Sequence, residues 1–170
     1  MLLGVVVERR RSRSPWQDWS WRPVAVIPGA PPLGPEWREL LREADWTQYH
    51  AANLPLELSR SDTEAYILNL SQTPPRIYVV LRSAGGQAAQ PYRPLLITAS
   101  PLEAEGYLSS GDEIVEGVPM PAAVVAWLEA YVARHHVERP FVKRKRKRGA
   151  GGADEERPRG ERSQTGDGHG

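Results

Sequence analysis

The side chains best equipped for chemistry crowd between residues 9 and 21: Arg9, Arg10, Arg11, Arg13, Trp16, Asp18, Trp19 and Trp21. Guanidinium groups beside indoles have three uses. They stack on one another and pair with carboxylates such as Glu8 and Asp18, which is local packing. They anchor protein interfaces, where Trp and Arg are the enriched residues. They also line surfaces that bind single-stranded nucleic acid. A second cationic group is Lys143, Arg144, Lys145, Arg146, Lys147 and Arg148, an unbroken basic run suited to an electrostatic contact or to solvation.

Other candidates are weaker. Asp62, Glu64, Asp112, Glu113 and Glu116 include carboxylates close in sequence, the raw material of acid–base work. They fall at the expected ends of elements, where caps and turns want them. His135 and His136 are adjacent on a helix, so they point about 100° apart and do not converge on a metal as an i, i+4 pair does. Their place is a helix C-terminus, where positive charge is favourable. His50 stands alone. Gly85-Gly86 lacks the Lys and Ser/Thr of a phosphate loop, and no GxGxxG occurs. No catalytic residue, cofactor site or metal site emerges, and we expect a protein that is not an enzyme.

The elements that must position the crown are strands. Leu3, Val5 and Val7 alternate along a strand of about 2–10, and a return strand covers about 19–28. The two form a hairpin with the Arg/Trp cluster at its end and a polar link over 12–17. Simple alternation puts Trp19, Trp21, Ala25 and Ile27 on one face and Val24 and Val26 on the other. A Pro/Gly turn spans 28–35. Trp37, Leu40, Leu41 and Ala44 then recur at i, i+3, i+4, i+7, which predicts a short helix opened by Pro35.

Strand-like alternation resumes with Leu54, Leu56 and Leu58, and again with Tyr66, Leu68 and Leu70. For the second stretch a helix is the rival, because Ser61-x-x-Glu64 has the form of a capping box. Residues 76–82 and 94–99 read as strands around a glycine-rich loop. Ser100-Pro101-Leu102-Glu103 starts a helix that ends near Ser109, with Gly111 beyond it. A strand over 113–116 precedes a last helix from Pro119 or Pro121 to His135 or His136. Val124, Trp127, Leu128, Tyr131 and Val132 are its apolar stripe. The expected fold is α+β and β-dominated: a mostly antiparallel small barrel or sandwich with a C-terminal helix.

Composition sets the outer bounds. With 170 residues and 40% apolar content, one core is the expectation. The last 29 residues hold nine of the 22 Lys/Arg and five of the 21 Asp/Glu, a net +4 against −3 for the rest. Apolar periodicity stops after Phe141. We therefore expect a single domain over 1–141 and a disordered basic, low-complexity tail over 142–170. The absence of cysteine excludes disulfides, thiolate metal sites and a cysteine nucleophile. No segment nears the roughly 20 apolar residues of a membrane helix. The short apolar start lacks the pattern of a signal peptide. A cytoplasmic protein without a membrane span is expected.

A set of short segments carries a family resemblance. Gly4-Val5-Val6-Val7-Glu8-Arg9, Pro15-Trp16-Gln17-Asp18 and Trp21-Arg22-Pro23-Val24-Ala25-Val26 open it. Tyr49-His50-Ala51, Leu54-Pro55-Leu56-Glu57-Leu58, Thr63-Glu64-Ala65-Tyr66 and Asn69-Leu70 continue it. Pro74-Pro75, Tyr78-Val79-Val80-Leu81-Arg82, Thr98-Ala99-Ser100-Pro101 and Glu105-Gly106-Tyr107 complete it. Together they resemble a proteobacterial domain family of unknown function, typically encoded near formate dehydrogenase and molybdenum-cofactor genes. The resemblance spans about 2–136. It implies an accessory or assembly protein for a molybdenum-dependent formate dehydrogenase, bound to that enzyme or its maturation machinery. It supplies no catalytic residues. A small nucleic-acid-binding or regulatory β-domain is the alternative.

Overall fold

The structure is a computed structural model that describes residues 1–138 except residue 87. The elements lie in one compact unit, Met1–Val137. The boundary expected after residue 141, the tail and the run Lys143–Arg148 fall outside the described residues.

A strand with β-branched residues on both faces is stable only where both faces and both edges are covered. The first strand, β1 (Leu2–Arg11), meets that condition. It pairs antiparallel with β2 (Trp19–Pro28) on one side and with β4 (Trp46–Pro55) on the other. The strand β3 (Arg38–Arg42) adds to β4, so the order is β2-β1-β4-β3. A second antiparallel sheet has β5 (Arg76–Ser83) between β6 (Tyr92–Thr98) and β7 (Glu113–Pro119). Leu3, Val5 and Val7 of β1 join Ile77, Val79 and Leu81 of β5 in one core, with no exposed surface on any of the six. Each such side chain contributes roughly 1.5–3 kcal/mol on burial. The two sheets meet where the outer strand β2 lies against β7 and where β6 lies against the interior strand β4. The result is a curled antiparallel sandwich, the β-dominated α+β class expected.

Three helices close the core. Helix α2 (Pro101–Leu108) begins as its sequence predicts: the Ser100 hydroxyl accepts from the Glu103 amide and Pro101 occupies the first turn. Helix α3 (Ala122–His135) buries Val124 and Leu128 completely, with Trp127, Tyr131 and Val132 half-buried beside them. Between its end and α1 (Thr63–Leu70), His136 Nδ1 and Thr63 Oγ1 lie 3.2 Å apart. At the end of α1 the buried Asn69 amide donates to the carbonyls of Arg76 and Ala99, both at 2.7 Å. Its Oδ1 accepts from the Arg76 amide at 2.9 Å. One side chain thus fixes α1 to β5 and to the segment before α2. Among the described residues no helix is long and apolar enough to cross a membrane.

Four expectations are corrected. The segment after Pro35 is the strand β3, not a helix: Trp37 packs inward, while Leu40, Leu41 and Ala44 are exposed. Residues 63–70 are the helix α1, the rival reading, although Ser61 lies in a one-turn 3₁₀ helix (Arg60–Asp62) capped by Ser59 and forms no capping box. The strand expected around Leu54–Leu58 lies earlier, as β4, and only Leu54 and Pro55 belong to it. On β2 a bulge at Val24 moves the register, so Ala25 opposes Val6 while Pro23 opposes Val7. Trp19 and Trp21 therefore share the core face with Val26, not with Ala25 and Ile27.

Candidate interaction surface at the hairpin crown

Cross-strand neighbours share a face. The row Arg9, Trp21 and Thr47 and the pair Arg11 and Trp19 therefore continue the core face beyond Val7. Here Arg9 lies half-buried among aromatic rings. Its guanidinium carbon is 4.4 Å from the Trp19 ring centroid and 5.9 Å from those of Trp21 and Tyr49. Trp21 meets Trp37 edge-on at 5.9 Å and stacks on Tyr49 at 6.4 Å. Trp21 and Trp37 pack against the core itself. The Arg9 Nε is buried without a hydrogen-bond partner, so the ring faces are its main compensation, about 0.5–2 kcal/mol in such surroundings. Arg11 lies 5.2 Å from the same Trp19 ring but reaches solvent. Trp37 and Tyr49 belong to this cluster, although the sequence pattern puts Trp37 on a helix and neither residue among the crown candidates. Tyr49 joins the cluster by standing opposite Val7 in β4, a pairing set by the β1–β4 register and not by any local sequence pattern.

The other face of the hairpin carries a buried carboxylate. Glu8 is only 3% exposed. It accepts from Arg10 Nε at 2.9 Å, Gln48 Nε2 at 3.1 Å and Arg22 at 3.4 Å. Burial pushes its pKa up. The hydrogen bonds from Arg10 and Gln48 and the charges of Arg10 and Arg22 outweigh burial and hold it below the usual glutamate value. The Arg10 guanidinium also lies 5.9 Å from the Trp46 ring.

The tip is different in kind. The Ser12 amide donates to the Asp18 carbonyl, and the hydroxyls of Ser12 and Ser14 accept from the amides of Ser14 and Trp16. These contacts fold the link and leave Trp16 92% exposed. Arg11, Arg13 and Asp18 are exposed beside it. The structure thus divides the crown. Arg9, Trp19 and Trp21 are packed at its base, and Arg11, Arg13, Trp16 and Asp18 face solvent.

The remaining polar candidates are either engaged locally or exposed to solvent. His50 is buried, with Nε2 2.8 Å from Asn53 Oδ1. Glu113 accepts from Ser110 and from Arg82, the latter at 2.6 Å, and both hold its pKa below the usual range. Asp62 precedes α1, and Glu64, Asp112 and Glu116 are exposed. His135 lies against the Tyr131 ring at 4.5 Å; desolvation, then the charges of Arg60 and Arg134, push its pKa down. Its cationic form is therefore disfavoured at the helix end where positive charge was expected. No group of three or more His, Asp or Glu converges among the described residues.

A family model described as "Protein of unknown function (DUF3305)" matches residues 2–145. The chain belongs to this family. The DUF3305 match runs through both strands of the crown and every element of the fold. No curated protein and no solved structure matches the chain.

Proposed function

We propose that this DUF3305 protein is a non-enzymatic accessory or assembly protein of the cytoplasm that works by binding another protein through the tip of its β1–β2 hairpin. Trp16 carries the reading: a tryptophan 92% exposed, between Arg11, Arg13 and Asp18, on a link held by its own serines. An indole left in water at the end of a rigid hairpin has the form of an interface anchor. It offers about 150–250 Å² for burial, roughly 4–6 kcal/mol at 25 cal/mol per Å² before the costs of association. The packed base beneath it supports rigidity. The partner we propose is a molybdenum-dependent formate dehydrogenase or its maturation machinery. That choice rests on the resemblance carried by the segments between residues 4 and 107.

The test is a titration of wild type and of an Arg11→Ala, Trp16→Ala double variant against the purified partner at two salt concentrations. The variant should keep its fold, since loop tips tolerate change. It should lose about 2 kcal/mol or more of binding, with little dependence on salt. Equal affinities remove the tip from the interface. Binding of a single-stranded oligonucleotide that weakens steeply with salt would instead favour the nucleic-acid reading.

A further inference from the structure

We propose that β3 is a self-pairing edge: two copies of this chain join antiparallel, Leu40 opposite Leu41, and fuse their four-stranded sheets into one of eight strands. The free edge is the first observation. β3 closes one side of the sheet, all five of its residues are exposed, and its principal neighbour is β4. The other outer strand of that sheet, β2, lies against β7. Leu40 and Leu41 are 45% and 49% exposed. Unpaired amides and carbonyls beside exposed leucines make a template for another strand.

Charge order names the occupant. The segment reads Arg38-Glu39-Leu40-Leu41-Arg42-Glu43. Folded onto a second copy about the midpoint of the two leucines, Arg38 opposes Glu43, Glu39 opposes Arg42 and Leu40 opposes Leu41. The two-fold axis repeats each pair, as in any isologous interface. Every charged residue meets its opposite. A shift of one residue destroys this: centring on Leu40 sets Arg38 against Arg42, and centring on Leu41 sets Glu39 against Glu43. Like charges directly opposite are destabilising, so the register is selected.

The bulge in β3 agrees with the same symmetry. Glu39 opposes Tyr49 and Leu41 opposes Gln48, so Leu40 is the extra residue. Glu39 and Arg42, three apart, consequently share one sheet face and form an ion pair at 2.5 Å. A bulged edge fits a regular strand poorly, but the two-fold sets bulge against bulge. On that face Glu39 and Arg42 of one copy then alternate with Arg42 and Glu39 of the second. The antiparallel arrangement sends the two crowns to opposite ends, so Trp16 stays free in both copies and the pairing does not depend on the proposed function. Strands this short bury less than the roughly 1,200–2,000 Å² of a stable complex, so the dimer is weak and concentration-dependent.

The experiment is sedimentation of the full chain over a concentration series, with Glu39→Arg and Arg42→Glu as variants. Wild type should shift toward twice the monomer mass. Each single variant should weaken self-association at least about tenfold, since each substitution acts twice in the dimer. Mixing the two variants should restore pairing, because the guanidinium introduced by Glu39→Arg in one chain then faces the carboxylate introduced by Arg42→Glu in the other. A wild type that stays monomeric throughout overturns the proposal, as does a dimer that both variants leave unchanged or a mixture that fails to pair. Far-UV circular dichroism checks that the variants fold. If either does not, amide exchange at 39–42 in wild type decides: protection that rises with concentration supports pairing, and protection that stays constant refutes it.

Discussion

Replacing Glu8 with glutamine isolates the charge of the one carboxylate buried beneath the crown. The side chain keeps its size and one accepting oxygen. Its new NH₂ group, however, must face a donor, because Arg10 and Arg22 approach Oε1 and Gln48 approaches Oε2. At least one charge-assisted hydrogen bond is lost, worth about 1.5–3 kcal/mol. The arginine side chains are 44% and 56% exposed, so water replaces part of what they lose. The lower part of that range follows, about 1.5–2 kcal/mol at pH 7. The pH dependence has a definite sign. The folded pKa of Glu8 lies below its ordinary value, the donors having overcome burial. Its contribution is therefore complete above the unfolded glutamate pKa, about 4.3, and is lost as pH falls through the lower folded value. Urea unfolding of wild type and Glu8→Gln, from pH 7 down to about pH 3, measures the difference directly. It should hold steady near neutrality and shrink below about pH 4.3. A difference that stays constant to the lowest pH, or a variant as stable as wild type at pH 7, would refute the reasoning.

Three further substitutions test the frame that holds the crown. Asn69→Ala strips partners from the amide and carbonyl of Arg76 and the carbonyl of Ala99 and should cost about 3 kcal/mol or more; a loss under about 1 kcal/mol in chemical denaturation would mean water replaces the amide. Leu128 is fully buried and Trp127 only half so, so Leu128→Ala should cost about 3 kcal/mol and Trp127→Ala about 2 kcal/mol; the reverse order in thermal melts would relocate the buried stripe of α3. Gly4→Ala would bring a methyl group within 2.5 Å of the Ala30 Cβ and 2.9 Å of His50 Nε2, an overpacking expected to cost about 1–3 kcal/mol; a variant that melts with wild type would show that the 28–35 turn yields freely.

What was legible in the sequence had redundant local causes. β1 and β5 carry β-branched runs too short for helices, and α2 carries its cap, its proline and its glutamate within four residues. The base of the crown was legible as a cluster of types but not as a cluster in space. A bulge at Val24 decides which face Trp19 and Trp21 occupy, and Trp37 joins them from a strand-flanking position far along the chain. α1 misled for a related reason. Tyr66, Leu68 and Leu70 alternate, yet Leu68 is 55% exposed while Ala65, Tyr66 and Asn69 are buried at helical spacing. Eight residues hold too few repeats to separate a period of 2 from one of 3.6.

β3 shows why such errors concentrate at bulges. Within a regular strand, residues three apart point to opposite faces. One inserted residue restores them to the same face, which is the signature of a helix turn. Leu40 is that insertion, and Glu39 and Arg42 across it form the i, i+3 ion pair a helix would also have made. The apolar spacing of Trp37, Leu40 and Leu41 also matched a helix, although only Trp37 packs against the core and the two leucines are exposed. Single-chain periodicity cannot tell a bulged edge from a turn of helix. The two alternatives do differ in what they do with the leucines. A helix would bury them within this chain, whereas the strand leaves them exposed at an open edge, the kind of edge on which another strand can pair.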